Sequence, residues 1–151
     1  MTPEVRAFLA ASLVAQVATV SPKGRPFMTP LWFVVDGEAL YITTGPDTWA
    51  ARNVAAHPAL TLLFSGEHGE RHDRVLRLRG QGTRHRGLPG WTVLLSIAAK
   101  YYLAPRALVT ELRNASRWGL RARYYAQGGA GYLRVVPTAA GFLDVGDVHA
   151  G

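Results

Sequence analysis

The sequence contains no cysteine. This absence excludes disulfides, thiolate metal sites and cysteine nucleophiles, and it is compatible with a cytosolic protein. Long apolar runs are also missing. The longest, Trp91 to Leu103, is interrupted by Lys100 and is shorter than the roughly 20 residues of a membrane-spanning helix. The start of the chain has no basic region followed by an apolar core and a cleavage site, so we expect no secretory signal, no membrane partner and a cytoplasmic location.

Acidic residues are scarce, and the charge is unevenly placed. The chain has 10 acidic and 17 basic residues, a formal net charge of +7. Residues 71–123 hold 12 basic and 2 acidic residues, whereas the flanking parts are slightly acidic. The middle block should attract anions such as phosphorylated cofactors, nucleic acid or anionic lipid. The alternative is a solvated, arginine-rich face.

The composition is that of a folded protein. The content of 48% hydrophobic and 18% charged residues argues against wholesale disorder. A chain of 151 residues is normally one domain. We therefore expect a single domain over residues 1–151, with a helical insertion at about 88–123.

Short β-rich runs between turns dominate the chain. The turn residues Ser21 to Gly24 and the Asp36-Gly37 pair separate the first three runs. Loops are predicted at 66–73 and 84–90, and Pro137 predicts a break. The predicted strands cover residues 13–20, 27–35, 39–44, 59–65, 75–83, 132–136 and 141–145.

Helices are predicted at four places. The first covers residues 3–11, with Thr2 as N-cap. The second begins after Asp47 or Thr48 and runs to about 57, and the third covers 91–102. A fourth begins at Pro105, with Leu108, Leu112 and Ala115 at spacings of four and three. Several antiparallel strands in a short chain favour a barrel, because closure removes exposed edges, and the helices make the class α+β by content.

The loop Thr43-Thr44-Gly45-Pro46-Asp47-Thr48 and the helix after it are a candidate anion site. Hydroxyls and free backbone N–H groups at a helix N-terminus bind oxyanions well, and Arg52 lies one turn into this helix. The loop lacks the glycine pattern of a P-loop or a dinucleotide fingerprint. An ordinary strand–turn–helix with a threonine N-cap and a surface arginine explains the same residues.

A longer series of short motifs resembles a known family. The series reads Ala18-Thr19-Val20, Gly24-Arg25-Pro26, Thr29-Pro30-Leu31-Trp32-Phe33, Leu40-Tyr41, Thr43-Thr44, Ala51-Arg52-Asn53 and Pro58. Its order and spacing over residues 10–85 are similar to the flavin- and deazaflavin-binding split barrels related to pyridoxamine 5′-phosphate oxidase. The resemblance implies an FMN-binding split β-barrel of antiparallel Greek-key type and a homodimer with cofactor sites at its interface.

The resemblance also implies a cofactor and the residues that hold it. The cofactor is FMN or the deazaflavin F420 in different branches, and haem or another tetrapyrrole in some relatives. Met28, Thr29, Pro30 and Leu31 would line the ring system through their backbone. The residues implied at the phosphate are Thr43, Thr44 and Thr48, supported by Arg52 and Asn53.

One position departs from the family pattern. Relatives often have a lysine two residues before the arginine of the Ala-Arg-Asn element, and this chain has Ala50. A cation directed at the phosphate is therefore missing. Arg77, Arg79 or an arginine of the other subunit are the candidate replacements, and Arg79 is included in the predicted cofactor site.

Other polar residues have plainer explanations. His68 and His72 have helical metal-ligand spacing, but their glycine-containing stretch favours a solvated loop, so no metal site is predicted. His57 is interpreted as a helix-end residue. Ser96 has no recognisable histidine and aspartate companions. Trp118, Tyr124 and Tyr125 lie among arginines and could stack on bases, but core aromatics with snorkelling arginines are favoured.

Two classes of function remain open. The first is an FMN- or F420-dependent oxidoreductase that transfers a hydride to a small substrate, with the cofactor supplying the chemistry. No side chain is identified as a catalytic acid or base. The second is a non-catalytic module that binds or sequesters a cofactor or tetrapyrrole such as haem or, less favoured, contacts nucleic acid.

Overall fold

The computed structural model describes residues 1–65, 74–101 and 129–144. The predicted loop at 66–73, the helix predicted from Pro105 and the aromatic group around Trp118 lie outside these ranges. Within them the predicted order of strands and helices is confirmed, except that the strands predicted at 132–136 and 141–145 form one strand. The elements are α1 (Pro3–Ala11), β1 (Val14–Val20), β2 (Pro26–Asp36), β3 (Ala39–Thr44), α2 (Trp49–Ala56), β4 (Ala59–Ser65), β5 (Arg74–Arg86), α3 (Trp91–Tyr101) and β6 (Gly131–Asp144).

The strands form a closed barrel in the order β1-β2-β3-β6-β5-β4, and every neighbouring pair is antiparallel. Alternation along each strand sends one set of side chains inward. In β5, Leu76 and Leu78 are fully buried while Arg77 and Arg79 point outward. The predicted class, mainly β with added helices, is confirmed.

Helices α1 and α2 pack at opposite ends of the barrel. Val5 and Leu9 of α1 join the barrel core, and Phe8 meets Phe142 near the end of β6 with ring centroids 5.3 Å apart. At the other end, Val54 of α2 packs over Gly82, where a Cβ atom would lie 2.8 Å from the valine Cγ1. Glycine at this position therefore lets the helix approach the barrel closely.

Helix α3 lies on the outer face of β2. Val93 and Tyr101 are buried against Val34, and the Tyr101 ring stacks on Trp32 with centroids 4.7 Å apart. The Tyr101 hydroxyl accepts a hydrogen bond from the Phe33 N–H at 2.9 Å. These contacts fix the first part of the predicted insertion to the barrel. No helix of the described ranges is long and apolar enough to cross a membrane.

The predicted break at Pro137 is wrong, because β6 runs unbroken through it. The pairing with β5 changes register here: Gly80 pairs with Pro137 and Arg79 pairs with Ala139. Thr138 is therefore the extra residue of a β-bulge, and its hydroxyl donates to the Arg79 carbonyl at 3.3 Å. A bulge accommodates proline because the ladder is interrupted there.

The predicted loop at 84–90 is also partly wrong, because β5 extends to Arg86. Arg84, His85 and Arg86 pair with Leu133, Tyr132 and Gly131 of β6. The sequence predicts that the strand ends at Thr83, because the residues directly after it are polar. The distant partner strand prolongs β5 by three residues.

Candidate functional site

The threonine corner comprises Thr44, Thr48 and the first turn of α2. The two hydroxyl oxygens lie 2.8 Å apart. Thr48 is the N-cap, since its oxygen accepts from the Ala51 N–H at 3.3 Å, and its hydroxyl donates to the Gly45 carbonyl at 3.0 Å. Thr44 is then the donor to Thr48. The Ala51 N–H is thus capped, whereas the N–H groups of Trp49 and Ala50 have no intrahelical partner and are suited to an anion.

The loop of the corner is held by β5 and β6. A Cβ atom at Gly131 would lie 2.9 Å from the backbone nitrogen of Pro46, so the loop rests directly on the start of β6. Arg84 donates to the Pro46 carbonyl at 3.4 Å, and Arg86 pairs with the Asp47 carboxylate at 3.0 Å. These two arginines, which the sequence reasoning missed, are the cations that contact the loop between β3 and α2.

Thr43 does not join the corner. It alternates with Thr44 along β3, and its hydroxyl donates to the Trp32 carbonyl at 3.4 Å on the outer side of the barrel. Its register partner in β6 is Tyr132. Of the three threonines assigned to the phosphate, the structure therefore brings together Thr44 and Thr48.

Two stacked aromatic rings and an arginine, Phe27, Trp49 and Arg52, form a column next to the threonine corner. Trp49, the first residue of α2, is 59% exposed and stacks on Phe27 with centroids 5.7 Å apart and ring planes 7° apart. The Arg52 guanidinium lies 4.2 Å from the centroid of the Trp49 ring. Arg52 thus contacts an indole, a cation–π arrangement. A tryptophan directly after a predicted N-cap, with Arg52 three residues later, was the sequence signal that could have identified this column.

Asn53 turns into the protein. It is fully buried, and its Nδ2 donates to the Thr19 hydroxyl oxygen at 3.0 Å. Its Oδ1 has no hydrogen-bond partner in the described structure. Asn53 therefore ties α2 to β1 from within, next to the corner.

The segment Met28 to Leu31 lies on an open strand edge. It pairs with β1 along one side, whereas the pairing between β2 and β3 covers only Phe33 to Asp36. Within the described ranges no strand pairs with the other side of residues 26–31. Backbone groups on that side are available to a ligand, and Phe27 brings this edge to Trp49.

Side chains of this segment point in two directions. Met28, which is 58% exposed, and Pro30 lie on the outer face, whereas Leu31 packs against the core. Arg79 lies elsewhere on the outer face, where it lines a pocket of about 400 Å³ with Ala18 and Thr61. The structure thus separates Arg79 from the threonine corner within one chain.

Charged groups with shifted pKa values lie at the α1 end of the barrel. The N-terminal ammonium and Arg6 hold the pKa of the Glu38 carboxyl below its usual value. Burial lowers the pKa of Lys100 to about 8.

His57 is the C-cap of α2 and Ser96 donates to the Thr92 carbonyl at 3.0 Å, so both have structural roles. No metal-binding group of three His, Cys, Asp or Glu residues occurs in the part of the chain that the structure describes, and His68 and His72 lie outside it.

The chain is similar to a known protein family. The family model described as pyridoxamine 5′-phosphate oxidase matches residues 1–117. A search of curated proteins finds no match.

Solved structures share the fold. An F420 reductase is 23% identical with a TM-score of 0.62, covering 90% of this chain and 94% of that one. A putative pyridoxamine 5′-phosphate oxidase from Listeria innocua is 17% identical with a TM-score of 0.59, covering 93% and 95%. The haem storage protein HutZ from Vibrio cholerae is 18% identical with a TM-score of 0.59, covering 94% and 92%.

Proposed function

The chain belongs to the pyridoxamine 5′-phosphate oxidase family, and on this premise we propose that it binds FMN or the deazaflavin F420 and transfers a hydride to a small substrate. The observation that supports this most is the open edge of β2 next to the threonine corner. An unpaired strand edge offers backbone hydrogen bonds to a flat polar ring, and a helix N-terminus offers them to a phosphate. The two ends of a phosphorylated ring cofactor thus have adjacent binding surfaces.

The residues present fit such a cofactor in part. The edge of Met28 to Leu31 would hold the ring, and the N–H groups of Trp49 and Ala50 would hold the phosphate. The hydroxyls of Thr44 and Thr48, which donate to Thr48 and to the Gly45 carbonyl, would turn their protons to the phosphate when it binds. Ala50 is buried and supplies no charge, so Arg84 is the described cation best placed to complete the corner. When bound, the cofactor supplies the hydride chemistry, and the protein supplies its position and electrostatics.

A non-catalytic tetrapyrrole-binding protein is the second candidate. The stacked Phe27 and Trp49 rings form a flat apolar surface beside the open edge, and α2 lacks the lysine common in flavin-binding relatives. The ring surface suits a large, flat ring as well as a flavin, and the missing lysine removes one contact to a phosphate. HutZ, one of the similar structures, is a haem storage protein.

Absorption spectroscopy distinguishes the two candidates. The purified protein is titrated separately with FMN, F420 and haem, and each titration is followed by its visible spectrum. We expect saturable binding of FMN or F420 and weaker binding of haem. Tight binding of haem without uptake of either flavin-type cofactor would establish the second candidate instead.

The role of the corner is tested with FMN and its dephosphorylated analogue riboflavin. Arg84→Met should weaken FMN binding by about 1.5–3 kcal/mol, the usual worth of a hydrogen bond to a charged group. Riboflavin binding should change little, and Arg74→Met, at the other end of the same strand where Arg74 pairs with Glu4 of α1, is the matched control. Arg52→Ala should also weaken FMN selectively if its guanidinium leaves the Trp49 ring for the phosphate. Equal losses for both ligands would assign these arginines to the fold.

A further inference from the structure

A pocket lies between α1, α3 and the end of β2, at the barrel end opposite the threonine corner. Its volume is about 540 Å³. Its walls are mostly apolar and include Leu9, Ala10, Val34, Val35 and Ala99. The proposed hydride chemistry makes no use of this cavity.

Lys100 contributes an unusual charge to the pocket. Its Nζ donates to the Leu9 carbonyl at 3.2 Å, in the last turn of α1, and lies 3.7 Å from the centroid of the Phe33 ring. Within the described ranges no carboxylate lies at ion-pair distance from it. Burial without a counter-charge lowers the pKa of this amine, as expected for a cation removed from water.

The neighbouring cation is already neutralised. Arg6, which also lines the pocket, pairs with Glu38 and donates to the Gly37 carbonyl at 3.0 Å. Glu38 also pairs with the N-terminal ammonium of Met1. Of the two cations that line the pocket, Lys100 is therefore the one without a carboxylate partner in the described ranges.

The chemistry of the missing partner follows from these contacts. Lys100 is half-buried, and a charge partly removed from water is stabilised by a partner. An ammonium has three protons, of which the Leu9 carbonyl takes one. The remaining protons can meet an anion that enters from the pocket. We propose that this pocket binds a small monocarboxylic acid whose carboxylate pairs with Lys100 and whose hydrocarbon part lies against Leu9, Val34 and Val35. A single cation that contacts aromatic rings but has no carboxylate partner in the described ranges suits, among apolar walls, a monocarboxylate better than a polyanionic phosphate.

Lysine NMR provides a direct test, because Lys23 and Lys100 are the only lysines of the sequence. Protein labelled with ¹³C at lysine Cε, without added cofactor, is titrated with hexanoate and, in parallel, with the neutral hexanamide. We expect hexanoate to shift the Lys100 signal saturably and to leave the signal of Lys23, on the exposed turn after β1, in place. Hexanamide should bind at least about tenfold more weakly, because it lacks the charge.

Two variants test the pocket by calorimetry with the same probe. Lys100→Met should weaken hexanoate binding about tenfold or more, and Lys23→Met should leave it unchanged. Because Lys100 also contacts α1, Ala99→Leu, which fills the pocket and keeps the cation, is the second variant and should weaken binding too. Equal binding of acid and amide, equal effects of the two lysine substitutions, or no shift of the Lys100 signal at millimolar hexanoate would overturn the proposal. None of these readouts depends on a flavin or on the proposed hydride transfer.

Discussion

Asn53 shows how a residue beside the proposed phosphate site also serves the fold. The family resemblance associates it with the phosphate, but its side chain is buried and bonded to Thr19. Which way a helical side chain points depends on how the helix is rotated against the barrel. That rotation is fixed by contacts such as Val54 on Gly82, which are distant in sequence and which no local pattern displays.

The Asn53–Thr19 contact should contribute measurably to stability. Asn53→Ala removes the bond and leaves the Thr19 hydroxyl buried without its partner, so we expect a loss of about 1–3 kcal/mol in the free energy of unfolding. Thr19→Val removes the other partner at similar volume. In a double-mutant cycle by urea denaturation, the two should couple by about 0.5–1.5 kcal/mol. Additive effects would show that the two side chains act independently.

Lys100 should give the protein a pH-dependent stability. Its pKa is about 8 when folded against an ordinary value of 10.5, so the unfolded state binds more protons between these values. Stability therefore rises with pH across this window, and the cost of burying the charge is fully present below pH 8. We expect wild type to gain about 1–2 kcal/mol relative to Lys100→Met between pH 7.5 and pH 10, a figure that allows for partial solvent screening. Urea unfolding at both pH values measures it, and a constant difference would contradict it.

At the scale of elements, the features that depend on neighbouring residues were predicted, whereas those that depend on pairing between distant strands were not. The Thr48 cap, the Asp36-Gly37 hairpin and the end of α2 near His57 all depend on neighbouring residues, and the structure confirms them. The extension of β5 and the continuity of β6 both depend on the pairing between these two strands, and both were missed. Because Arg84 lies in that extension, its contact with the threonine corner was missed too.

The bulge between β5 and β6 should tolerate no side chain at Gly80. A Cβ atom there would lie 2.7 Å from the Val136 carbonyl oxygen and 2.8 Å from the Val135 Cγ1. Gly80→Ala should therefore cost about 1–3 kcal/mol through overpacking. Gly141→Ala, on β6 with open space around its Cβ position, is the matched control and should stay within about 0.5 kcal/mol. Thermal unfolding of both variants makes the comparison, and similar melting temperatures would show that the bulge relaxes.

At the scale of the whole molecule, exposed apolar side chains support the prediction of a homodimer. Leu88, Trp91 and Leu95 are 64%, 72% and 58% exposed, and Met28 is exposed beside the open edge of β2. Large apolar side chains exposed in a group are typical of an interaction surface. Light scattering at micromolar concentration should give twice the mass of one chain, and Trp91→Glu should lower that mass if α3 is in the interface. A monomeric wild type would contradict the prediction.

The position of β6 in the barrel has a consequence for synthesis of the chain. β6 is the last described strand, yet it pairs with both β3 and β5. While the ribosome makes the roughly 45 residues between Arg86 and Gly131, both neighbours expose a free edge, for about 2–9 s at 5–20 residues per second. Free edges recruit other strands, so nascent chains are most prone to aggregation in this interval. Slower translation over residues 87–130 should therefore lower the yield of soluble protein, and a chaperone that shields β3 and β5 should restore it.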